Sequence, residues 1–123
     1  LGIQVIKISG YLNIVENRTW YTHMLTDSSS VTADSEITEI TTLIENADVS
    51  LINVATSFSA AGKLYYVDEN GNETYLTDPN QDWPAKYTII SSFFLKKDHV
   101  VSLQYTSDAT MHHLYVSHTS GVF

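Results

Sequence analysis

The sequence predicts a mainly β fold, an antiparallel β-sandwich or partly open barrel, with one short helix near 35–47. Three observations point there. Val, Ile and Thr supply 34 of the 123 residues and Tyr another eight; β-branched and aromatic side chains suit a pleated, half-buried surface. Short apolar runs recur with turn residues between them. Asn70-Gly71 sits between two such runs, as in a tight hairpin. No internal repeat or boundary divides the chain, so residues 1–123 read as one domain, with 1–9 a candidate strand-exchange segment.

Residues 2–8 come first. Ile3 and Val5 share one parity and Ile6 and Ile8 the other, so both faces of this strand are apolar. Tyr11–Val15 and Thr19–Leu25 are the next strands, with a turn at Glu16-Asn17-Arg18. Residues 26–36 are a polar loop.

Ile37, Ile40, Leu43, Ile44 and Ala47 then fall on one helical stripe, about 120° wide, behind Ser35 as N-cap. Thr38, Thr41 and Thr42 are poor helix formers, and Glu45 and Asp48 sit at the unfavourable end of the dipole. The helix is preferred; a strand is the alternative.

Val49–Phe58 alternates as a strand. Lys63–Asp68 and Asn72–Thr77 flank Glu69-Asn70-Gly71, where Asn-Gly favours a type I′ turn. After a loop holding both prolines come strands at Tyr87–Leu95, Val100–Thr106 and Met111–His118.

The formal net charge is −8, from six Lys plus Arg against fourteen Asp plus Glu. Nucleic acid and anionic membranes are therefore poor partners. No apolar run approaches the ~20 residues of a membrane-spanning helix. The absence of Cys excludes a disulfide scaffold, thiolate zinc and cysteine catalysis. Solubility resting on hydroxyls and carboxylates, with a single Arg, points to an extracellular or cell-surface setting. The chain opens on Leu1 rather than Met, as a processed or excised chain would.

Candidate sites are few. Asn17-Arg18-Thr19 and Asn72-Glu73-Thr74 are N-glycosylation sequons at expected turns, with Asn17 and Asn72 as acceptors. Asp78, Asn80 and Asp82 alternate oxygen side chains, a candidate calcium set without the Gly and distal Glu of a helix–loop–helix site; an Asx-turn is the plainer reading. Taking Asp68 as the start of a calcium loop puts Pro79 where a bidentate Glu is needed, so the hairpin reading wins.

On one strand His112 and His118 lie about 20 Å apart, too far to share a metal ion. His113 with His99 or His23 would need the fold to bring them together; half-exposed strand histidines are the plainer reading. No nucleophile elbow or Gly-rich phosphate cradle occurs, so no catalytic residue and no cofactor is expected.

The strongest functional expectation is structural. An uncapped edge strand templates pairing with another strand. Lys7 is the sole charge in the first fifteen residues, and no Pro precedes Pro79. Ile3, Val5, Ile6 and Ile8 are therefore expected to mediate self-association by strand addition, which runs head to tail into filaments. An ordinary first strand within the same chain is the competing expectation. The next reading is a glycan-binding sandwich using exposed Tyr and Trp faces; a small hydrolase is third.

Overall fold

The computed structural model describes residues 4–10, 21–26, 28–44 and 48–120. Ten strands appear: β1 (Gln4–Gly10), β2 (Tyr21–Thr26), β3 (Ser29–Val31), β4 (Glu36–Ile44), β5 (Val49–Phe58), β6 (Leu64–Val67), β7 (Glu73–Tyr75), β8 (Ile89–Lys96), β9 (Val100–Tyr105) and β10 (Ala109–Ser120). They form two sheets. The first runs β1-β4-β9-β6-β7; the second runs β2-β10-β5-β8, with β3 also beside β10. All pairs are antiparallel except β1–β4, which is parallel.

One hydrophobic core lies between the sheets. The first contributes Ile37, Ile40, Leu64, Val101, Leu103 and Tyr105; the second contributes Ile52, Val54, Phe58, Phe93, Leu114 and Val116 among others. Two aromatic contacts cross the gap: Phe58 with Tyr105, and Tyr66 with Phe93 at 4.6 Å between ring centroids. The antiparallel β-sandwich expected from composition and spacing is the observed fold.

The helix expected at 35–47 is absent; Glu36–Ile44 is a strand. The register against β9 shifts between Glu36 and Thr38, so a bulge falls at Ile37. Ile37 and Ile40, three residues apart, thereby both reach the core. An odd offset between core residues is what imitated a helical stripe. Thr38 and Thr41 are buried as well, and the Thr41 hydroxyl donates to the His99 carbonyl at 2.7 Å. Three threonines unfavourable to a helix suit this strand.

The hairpin is present, but its turn is not type I′. Among the described residues of this turn only Gly71 has positive φ, at 83°. Gly71 N–H donates to the Asp68 carbonyl and Asp68 N–H to the Asn72 carbonyl, both at 3.0 Å. That is a type I turn followed by a left-handed glycine. The Asp68 carboxylate selects it by accepting the N–H groups of Asn70 at 2.8 Å and Asn72 at 3.0 Å. These bonds, that from Asn72 N–H foremost, hold the Asp68 carboxyl below its ordinary range.

Two smaller differences complete the comparison. β3 lies inside the segment expected to be loop. On β10, a bulge between Met111 and His113 leaves His112 exposed, while Met111, Leu114, Val116 and His118 are buried. His112 thus does not share a face with His118.

Candidate functional site

The sheet edges are the chief candidate. Parallel pairing puts β1 alongside β4 from Gln4↔Thr38 to Gly10↔Ile44. On the far side of β1 no strand pairs among the described residues, so it forms the edge of the first sheet. Val5, Ile6 and Ile8 all lie on this ladder, opposite Glu39, Ile40 and Thr42. Ile3 lies outside the described residues. The strand is thus joined within its own chain by one ladder, and parallel ladders are slightly weaker per residue than antiparallel ones.

A polar cleft of about 270 Å³ opens between the β6–β7 hairpin and the β8–β9 turn. Tyr66, Asn70, Thr74, Lys96 and His99 line it with Asp68 and Glu69. Glu69 ties its two walls together: Oε1 accepts Val100 N–H at 3.0 Å and lies 3.3 Å from His99 Nδ1. Half-buried Tyr66 offers the cleft an aromatic wall, braced by Phe93. Residues 66–74 and 94–101 meet only through the sheet order, so no linear motif marks the place. A smaller cleft of about 170 Å³ lies at Ser30–Thr32 and Ser35–Ile37.

A half-buried polar station sits where the β3–β4 connection meets the first sheet. The Tyr65 hydroxyl donates to Asp34 Oδ1 at 2.8 Å and lies 2.8 Å from the Gln104 side-chain amide. Burial, reinforced by the Asp34 carboxylate, pushes the Tyr65 phenol up. Asp34 is held there with φ at 56° and its N–H on the Tyr105 carbonyl. These partners act on one another and frame the fold.

The remaining sequence candidates lie elsewhere on the two sheets and their loops. Asn72 is exposed at the hairpin, its side chain 3.4 Å from Asp68 Oδ2; Asn17 lies outside the described residues. Asp78 Oδ1 accepts Asn80 N–H at 2.8 Å, the Asx-turn arrangement. Asp82 instead pairs with Lys63 at 2.5 Å, which raises the lysine's pKa. Among the described residues no group of three His, Asp or Glu side chains is gathered to hold a metal ion. His99 faces Glu69, and His113 lies against Tyr115 with centroids 5.5 Å apart. No helix among the described residues is long and apolar enough to cross a membrane.

Neither a family model nor a curated protein matches the chain.

Proposed function

We propose that this chain is a secreted or surface-displayed structural β-domain that assembles by exchanging β1 between copies. One observation supports the reading above others: β1 is an edge strand joined to the sandwich through a single parallel ladder to β4. The same seven-residue register can be made with the β1 of another copy. Exchange then replaces each internal contact by an identical one between chains, at the entropic cost of association alone. An apolar residue on each parity of the strand is what a donor inserted at a sheet edge needs.

A synthetic peptide spanning 1–10 tests it, together with a chain beginning at residue 11. The full chain should form concentration-dependent oligomers in sedimentation. The shortened chain should no longer grow beyond a dimer and should capture the peptide beside β4. A full chain that is monomeric at every concentration removes the reading.

The cleft supports a second reading, glycan binding. It combines the Tyr66 ring with amide, hydroxyl and ammonium groups from Asn70, Thr74 and Lys96, the mixture that recognises a sugar's apolar face and hydroxyl rim. Titrating a glycan panel against intrinsic fluorescence, with Tyr66→Ala as comparison, checks it. Unchanged fluorescence across the panel discards it.

A further inference from the structure

We propose that β8 is a homotypic docking edge, at which two copies pair β8 with β8 antiparallel about a two-fold axis through Ser92. The inference stands apart from strand exchange at β1 and rests on the opposite sheet.

The first ground is the regularity of the edge. β8 follows β5 without a register shift from Val49↔Lys96 to Thr56↔Ile89, and β5 is its sole strand neighbour among the described residues. Sheet edges are normally blunted by shortness, charge, proline or a bulge. β7 is blunted by its three-residue length and Glu73, and β1 carries Lys7 at mid-strand. β8 uses none of these: it reads Ile-Ile-Ser-Ser-Phe-Phe-Leu-Lys, with its sole charge at the last position.

The second ground is the outward face. Ile90 is 70% exposed and Phe94 59%, on a strand whose other parity is core. Ile90 lies opposite Ala55, which in turn faces Tyr115, 39% exposed. An apolar row therefore runs across three strands on the outside of the second sheet. The neighbouring row is polar, with the Ser92 hydroxyl donating to Asn53 Oδ1 at 3.1 Å.

The third ground selects a second copy as the occupant. The whole chain carries −8, so most faces of two copies repel. From Trp83 to Lys97 there is no Asp or Glu, while Lys86, Lys96 and Lys97 fall in that span. The strand therefore lacks the carboxylates that make other faces of two copies repel, and antiparallel pairing keeps the two Lys96 side chains at opposite ends of the contact. With Ser92 on the two-fold axis, Ile90 of each copy faces Phe94 of the other, a branched–aromatic pair made twice. The same register sets Lys96 of each copy opposite the uncharged Thr88 of the other. A closed two-fold contact of this kind stops at two copies.

The chain has no cysteine, so Ser92→Cys introduces a single, exposed thiol at the axis. Under mild oxidation it should yield a disulfide-linked dimer much faster than Asn80→Cys, an exposed loop control. Ile90→Lys should weaken the dimer in sedimentation by about tenfold or more, because each dimer loses two cross-strand pairs and gains two charges. Its circular dichroism should match the parent, since Ile90 is largely exposed. Oligomers joined through β1 alone do not bring Ser92 to Ser92, so the two modes are distinguishable. Equal cross-linking of both cysteine variants, or an unchanged sedimentation profile for a folded Ile90→Lys chain, overturns the proposal.

Discussion

Phe58 and Tyr105 stack face to face across the sandwich, ring centroids 3.7 Å apart and planes within 6°. One ring comes from each sheet, so the pair sets the spacing of the two sheets at this point. Tyr105 is further held by its hydroxyl, which donates to the Ala60 carbonyl at 2.7 Å. Its ring rests directly on Gly62, itself bridged to Trp83.

That contact makes Gly62 a packing position. A Cβ built there meets Tyr105 ring carbons at 2.8 and 2.9 Å and Ser107 Oγ at 2.9 Å. The ring is trapped against Phe58 and has nowhere to retreat. Gly62→Ala should therefore destabilise by about 1–3 kcal/mol through overpacking. Equilibrium urea unfolding measures it; a midpoint equal to the parent's would show that the ring can yield.

The sequence made much of this fold legible, for a physical reason. β5 has one face on the core and one outward, so its two-residue alternation is written directly in Val49–Phe58. β4 was hidden because the bulge at Ile37 breaks the same rule, leaving Ile37 and Ile40 three apart on one core. Asn70-Gly71 announced a hairpin but not its type, since Asn-Gly fits more than one loop and the Asp68 carboxylate decides between them. The candidate edges were legible as strands only. Whether β1 or β8 has one neighbour or two depends on sheet order, and sheet order is set by pairings distant in sequence.

Gly71 isolates the cost of backbone conformation. A Cβ there meets nothing within 4 Å, yet φ is 83°. Gly71→Ala should thus cost about 1–2 kcal/mol from the left-handed conformation alone. Gly71→Asn should cost less, because asparagine tolerates that region better. Chemical denaturation of the two variants gives the comparison. Equal losses would mean the turn rearranges instead.

The bulge on β10 is pinned from β5. Thr56 is fully buried, and its hydroxyl donates to the His113 carbonyl at 2.6 Å. Thr56→Val keeps the shape of the side chain and leaves that carbonyl without this donor. A loss of about 1–3 kcal/mol is expected. Thr56→Ser, which keeps the hydroxyl, should retain more stability than Val. If Val is the more stable, the hydrogen bond does not govern the site.

Alkaline pH should unfold the protein through two phenols. Burial, with a smaller effect from Asp82, pushes Tyr105 up to about 12, and burial pushes Tyr65 up as well. In the unfolded chain both ionise near the ordinary value of 10.0. Below pH 10 both forms of the chain hold these protons, and the stabilisation is complete. Between pH 10 and about 12 the unfolded chain releases protons that the folded chain keeps, so stability falls as pH rises. Each group contributes a slope of up to about 1.4 kcal/mol per pH unit. Tyr65→Phe removes one such group along with its hydrogen bond to Asp34. The variant should be less stable than the parent at neutral pH, with the gap narrowing as pH climbs past 10. Thermal melts from pH 7 to 11 follow it. A gap that stays constant across that range would show that the Tyr65 phenol ionises equally readily in both states.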